Sequence, residues 1–279
     1  MKNFTSACCL LALLCSCSRD VPIDLPAFKE KLVVESYLVE GDTTIFVRLD
    51  KTFDPYKFPS RNDDRRIPSG ANVALIIRDS VFLLTEVSRS NRERYTFAGT
   101  VYRLNRSVEP TTNYKLVVDF QGLHAESQCQ ALPKTRLLSV VLGSSGGSSS
   151  SNVTFHLRIV ADFPPERSYH LVRIEGRYAN AKYDIARTSF TMDGHSNQIQ
   201  IDISNLSPLW LVALRGTEYT IALIRTDRTC FDFLRAIEAQ VGEYDSFLGS
   251  ETTEIPTNII GGYGIFTGMS KDTMSVVLQ

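Results

Sequence analysis

What this chain lacks narrows it at once. No apolar run reaches the roughly 20 residues that a helix needs to cross a bilayer; the longest is the stretch around 7–14, at the very start. An excess of basic charge is missing as well. Lys and Arg number 30 against 31 Asp and Glu, and cutting away residues 1–16 removes only Lys2, so the remaining body is two charges negative. A nucleic-acid binder would show a basic stripe instead. Cysteine is scarce where it would count. Of six, four are Cys8, Cys9, Cys15 and Cys17, which leaves Cys129 and Cys230 for the folded body. They form no spacing motif; one disulfide or two buried free thiols are the alternatives. The four histidines, His124, His156, His170 and His195, share no zinc-ligand spacing. Asp63-Asp64 lacks the alternating ligands and the glycine of a calcium loop. The expectation is therefore no metal and no cofactor.

What is present begins with Leu14-Cys15-Ser16-Cys17, behind one charged residue, Lys2, and a short apolar run. Those are the n-region and h-region of a secretory signal, and Leu-x-Ser-Cys at its end resembles the lipobox of bacterial lipoproteins. The resemblance implies cleavage before Cys17 and acylation of that residue. Each buried CH₂ contributes ~0.8 kcal/mol, so two or three chains hold durably where one holds marginally. Residues 1–16 are thus expected to be a signal peptide and 17–28 a lipidated tether. Ser18 is not the Asp that retains lipoproteins at an inner membrane, so the expected address is the outer membrane, in either leaflet.

From Lys31 the hydrophobic period becomes two. Leu32, Val34, Ser36 and Leu38 alternate with Val33, Glu35 and Tyr37; Ile45, Val47 and Leu49 follow the turn at Glu40-Gly41-Asp42. Similar short runs at 72–78, 81–87, 95–101, 114–120 and 123–129 predict one β-sandwich over 29–133. Leu132-Pro133-Lys134 reads as a junction. Runs at 137–142, 153–161, 169–175, 183–190, 199–203 and 219–223 predict a second sandwich over 134–279. Cys230, Phe233, Leu234, Ile237 and Val241 then fall at helical spacing, predicting one amphipathic helix over about 230–242 with Thr229 as its N-cap and Gly242 as its stop. The fold class is mainly β, with two Ig-like sandwich domains and one helix in the second.

Catalytic motifs do not survive their context. Gly143-Ser144-Ser145-Gly146-Gly147 matches G-x-S-x-G, but a nucleophile elbow needs a helix after it, and here serines and a β-branched run follow. The glycines near the end miss the dinucleotide spacing. They suit a structural closing segment at 256–268, with Asn258, Gly261, Gly262, Gly264 and Phe266 as its characteristic residues. No catalytic residue is assigned. The long irregular stretch 53–70 combines Phe53, Tyr56 and Phe58 with Arg61, Arg65 and Arg66, types enriched at interfaces, and is the candidate recognition loop. Its aromatics folding back on their own sandwich is the competing structural reading. Thr43, Ser80 and Thr273 each follow an Asp in a short O-glycosylation-like motif.

Together these residues resemble a family. The lipobox, Lys31-Leu32-Val33-Val34-Glu35-Ser36-Tyr37-Leu38, Gly70-Ala71-Asn72-Val73, Asn113-Tyr114-Lys115-Leu116-Val117-Val118 and Ser168-Tyr169-His170-Leu171 are similar to the Bacteroidota outer-membrane lipoproteins grouped as domain of unknown function 4249. The most distinctive stretch is Pro256-Thr257-Asn258-Ile259-Ile260-Gly261-Gly262-Tyr263-Gly264-Ile265-Phe266. The family usually has Tyr-Tyr where this chain has Tyr169-His170. The resemblance implies genes placed beside TonB-dependent receptors, and no catalytic residue. The expected function is a tethered accessory or scaffold protein beside such a receptor or another outer-membrane protein. A glycan- or peptide-binding surface lipoprotein is the alternative, and an envelope hydrolase a remote one.

Overall fold

Alternation builds the first pair of strands. Leu32, Val34, Ser36 and Leu38 point inward from β1 (Leu32–Val39), and Ile45, Val47 and Leu49 from β2 (Ile45–Lys51), because period two places each set on one face. The computed structural model describes residues 27–52, 68–87, 100–145, 153–178, 181–194, 196–206, 218–242 and 254–277.

β1 and β2 belong to an eight-stranded sheet with β5 (Thr85–Val87), β6 (Thr100–Leu104), β11 (Ser168–Tyr178), β12 (Ala181–Met192), β14 (Glu218–Thr226) and β15 (Tyr263–Val277). Its order is β12-β11-β14-β15-β1-β2-β6-β5. β3 (Asn72–Ile77), β4 (Ser80–Leu83), β7 (Asn113–Phe120) and β8 (Leu123–Gln130) form a second sheet ordered β4-β3-β7-β8. β9 (Leu137–Ser145), β10 (Val153–Ala161) and β13 (Gln198–Leu206) form a third, ordered β13-β10-β9. One hydrophobic cluster joins Val34 and Val47 of the long sheet to Leu75, Leu116 and Val118 of the four-stranded one. Another joins Val172, Ile174 and Leu223 to Leu142, Leu157 and Ile159 of the three-stranded one. The arrangement is mainly β and sandwich-like. The expected boundary at Pro133 falls in the link 131–136, and the long sheet takes strands from both sides of it.

β15 is what makes that continuity. Its first half pairs in parallel with β1, from Val33↔Tyr263 to Val39↔Met269. Its second half pairs antiparallel with β14, from Thr226↔Met269 to Glu218↔Val277. The approach to β15 is stapled to the four-stranded sheet. Ile260 and Glu126 exchange backbone hydrogen bonds of 2.8 and 3.0 Å, and the Ser127 hydroxyl donates to the Asn258 carbonyl at 2.8 Å. The Asn258 side chain then acts as a one-residue strand: its amide donates to the Phe266 carbonyl at 2.6 Å and its oxygen accepts the Phe266 N–H at 3.0 Å. A primary amide offers both groups at once, which is why Asn fits there.

One helix among the described residues, α1 (Arg228–Gly242), lies on the other face of the long sheet, where Cys230 and Phe233 pack on Ile265 and Met269. Its cap differs from expectation. Thr229 is inside the helix, and Asp227 is the N-cap: its carboxylate accepts the Cys230 N–H at 2.8 Å and the Thr267 hydroxyl at 2.7 Å. An Asp outranks a Thr as cap, and this one also ties the helix start to β15.

Other boundaries shift for local reasons. The expected strand 81–87 is two strands, since the chain leaves one sheet for another at buried Leu84, whose N–H is taken by Val73. Arg78 and Asp79 both adopt positive φ, making the two-residue turn, so Ser80 already belongs to β4. Gly143 lies within β9, paired with His156. Of the strand expected at 95–101, the described part begins at Thr100.

Two glycines of β15 are required by close approach. Gly264 has φ +107°, and a Cβ there would overlap the Val34 carbonyl; one at Gly268 would overlap the Gln130 carbonyl. Gly264→Ala is therefore expected to cost at least about 3 kcal/mol, from backbone strain plus displaced β1. A urea midpoint within the error of the parent would contradict the tight packing described.

Candidate functional site

The start of β11, the end of β12 and the first turns of α1 border an open cleft of about 470 Å³. Each element supplies residues for a local reason. Tyr169 and Thr191 are directly paired across β11 and β12, so both side chains leave the same face of the sheet. On α1, Arg228, Phe231, Asp232 and Arg235 stand three, four and seven residues apart, which places them on one side of a helix. Arg167, just before β11, completes the wall, and Ser189, Phe190 and Thr191 line the β12 side.

An aromatic pair carrying arginines lines the cleft. Tyr169 and Phe231 sit with ring centroids 5.3 Å apart at 50°. The Arg167 guanidinium lies 5.9 Å from the Tyr169 centroid and that of Arg235 lies 5.8 Å from the Phe231 centroid, both within cation–π reach. The carboxylates nearby are held loosely. Arg228 to Asp232 is 3.5 Å and Arg167 to Asp193 is 3.8 Å, both beyond good hydrogen-bond length. Arg235 has no carboxylate partner among the described residues.

Behind the β12 wall lies His170, fully buried. Its ring stacks on Phe190 at 5.4 Å and 17°, meets Phe163 edge-on at 5.0 Å, and reaches the Ser168 hydroxyl through Nε2 at 2.8 Å. Nδ1 has no hydrogen-bond partner among the described residues. Burial, with the Arg225 charge adding to it, pushes the imidazole down to about 3. Arg225 is itself paired with Glu166 at 2.8 Å. A ring held neutral suits this apolar niche.

The residues singled out from sequence are scattered. Leu14, Cys15, Ser16 and Cys17, and the recognition loop with Phe53, Tyr56, Phe58, Arg61, Arg65 and Arg66, lie outside the described residues. The stretch leading out of that loop is pinned: the Tyr102 hydroxyl donates to the Pro68 carbonyl at 2.7 Å and accepts the Ala71 N–H at 2.8 Å. Thr43, Ser80 and Thr273 are all exposed, on different strands or turns. Cys129 and Cys230 are free thiols, both raised by burial and by the nearby Asp227, Cys230 to about 12; thiols so hard to ionise are poor nucleophiles. His124 pairs with Asp119 and His156 with Asp202 on separate strands. Among the described residues no three His, Cys, Asp or Glu gather as metal ligands.

None of the cleft arginines stood out in the sequence. Arg228 and Arg235 could have been found from their seven-residue spacing around Phe231. Arg167 could not, since only the fold brings it to α1.

A sandwich-like β protein with a polar cleft beside its helix is a broad class, and the family is narrower. The model of the family described as Domain of unknown function (DUF4249) matches residues 18–275. The chain belongs to that family. No curated protein matches it in sequence. Among solved structures, a DUF4785 family protein of Legionella pneumophila is similar over 70% of this chain and 52% of its own, at 11% identity and TM-score 0.26. Dimeric latent PorU of Porphyromonas gingivalis is similar over 91% of this chain and 19% of its own, at 12% identity and TM-score 0.20. The BSP domain of a biofilm associated protein is similar over 92% and 62%, at 7% identity and TM-score 0.19. The chain thus spans about half of the Legionella protein and a fifth of PorU. Likenesses this slight carry nothing about function.

His170 gives a pH signature. With the folded pKa below the unfolded value near 6.5, the unfolded chain binds the extra proton between about pH 6.5 and 3, so stability falls as pH falls through that window. The contribution is about 2 kcal/mol by pH 5. His170→Phe should remove it, narrowing the gap between urea-unfolding free energies at pH 7.5 and pH 5 by that amount. An unchanged gap would contradict the burial of a neutral ring.

Proposed function

We propose that the chain is a lipid-anchored accessory protein of the outer membrane. It works beside a TonB-dependent receptor or another outer-membrane protein and catalyses no reaction itself. The observation that carries this reading is Leu14-Cys15-Ser16-Cys17 behind its short apolar run. Membership of DUF4249 agrees with the family resemblance from which the receptor association is taken. No helix among the described residues is long and apolar enough to cross a membrane.

The tether sets the working range. Leu32, where β1 starts, lies fifteen positions after Cys17; fully extended, that length of chain reaches roughly 50 Å. Held that close, the body meets a membrane neighbour at high effective concentration, so weak contacts suffice. Val81 and Leu83, exposed on the edge strand β4, are apolar positions suited to such contacts. The second reading, capture of a glycan or peptide, is favoured by the arginine-lined cleft.

Cys17→Ala tests the anchor. The parent should take up labelled fatty acid and sediment with outer membranes, and the variant should do neither; an unlabelled variant that still sediments would overturn the reading. Affinity purification of the parent from mild-detergent outer membranes tests the accessory role. Recovery with an outer-membrane protein is expected, and recovery alone would remove that role.

A further inference from the structure

We infer that the cleft between β12 and α1 binds a small oxyanionic ligand: one or two rings bearing carboxylate or phosphate oxygens. This deepens the capture reading and does not require the lipid anchor.

Charge is the first argument. Arg167, Arg228 and Arg235 all line one cleft in which, among the described residues, Asp232 is the one acidic lining residue, and Asp193 lies 3.8 Å from Arg167. Like charges gathered in a concave site raise each other's energy, and an entering anion relieves it. Their donors are also unspent. Each guanidinium carries five N–H groups in a planar fork, and the 3.5 and 3.8 Å separations to Asp232 and Asp193 use few of them.

Shape selects the kind of anion. The rings of Tyr169 and Phe231 lie beneath Arg167 and Arg235, which holds the guanidiniums in place before a ligand arrives and lowers the ordering cost of binding. The cleft is half open to solvent and about 470 Å³ in volume, room for a small ligand held along one side. The hydroxyls of Ser189 and Thr191 supply donors and acceptors for ring substituents. A long polyanion would need a basic stripe, and the body as a whole is slightly acidic.

Calorimetric titration of the full chain in mild detergent tests this with four probes. Digalacturonate represents a carboxylate on a sugar ring, inorganic pyrophosphate a phosphate source, cellobiose a neutral ring pair, and tetraglutamate an acidic peptide. Digalacturonate or pyrophosphate should bind, more weakly at 500 mM than at 50 mM NaCl, with cellobiose and tetraglutamate at least tenfold weaker. Arg228→Ser and Arg235→Ser should each weaken binding at least tenfold with unchanged urea midpoints, since both side chains are exposed. Lys115→Ser, on the four-stranded sheet, should change nothing. Cellobiose binding as tightly would overturn the oxyanion inference and leave capture standing. Tightest binding by tetraglutamate would overturn the small-ring ligand. Silence from all four probes would remove the inference and the capture reading together, leaving the accessory reading untouched.

Discussion

One strand bears the constraint on which the rest depends. β15 must be parallel partner to β1 along its first half and antiparallel partner to β14 along its second, with Met269 at the crossover of both ladders. A parallel pairing cannot come from a tight turn; it needs a long connection. Here the connection is almost the whole body, since β1 opens it and β15 ends it. The closure entropy of so long a loop is offset locally by what surrounds the strand: the Ile260–Glu126 bridge, the Asn258 clamp on Phe266, and backbone contacts tight enough to require Gly264 and Gly268.

That strand also sets the cleft. Thr267 on β15 holds Asp227, which caps α1, while Ile265 and Met269 seat the helix on the sheet. Arg228, Phe231 and Arg235 therefore inherit their positions from β15, and β11 reaches it through β14. The arginines are exposed and carry little of the packing, whereas the layer behind them, His170 between Phe163 and Phe190, is buried and uncharged. A rigid, neutral wall behind a cationic surface is a sound support for a binding site.

How much of this was legible in the sequence follows from the range of the forces involved. Alternation of Leu32, Val34 and Leu38, or of Tyr114, Leu116 and Val118, is a local signal, and those strands are where the pattern put them. The helix was equally plain from Cys230, Phe233 and Ile237, though its cap was not: Asp227 wins because it answers two partners, one of them forty residues away on β15. The glycine-rich segment was legible as structural without its partners being so, because the Glu126 and Val34 backbones it approaches are far off in sequence. The cleft was not legible at all. Arg167 and Arg235 belong to different elements, and pairing of β11 and β12 beside the helix is a long-range fact. The anchor and the aromatic loop are the reverse case, read from a short motif and from residue types, and both lie outside the described residues.

The claim that one strand unites the two hydrophobic clusters of the body is tested most directly by native-state hydrogen exchange along β15. The account predicts that amides of residues 265–268, paired to β1, and 270–276, paired to β14, open with the same free energy and the same denaturant dependence, in one cooperative event. Two separate opening energies, one for each half of the strand, would contradict it.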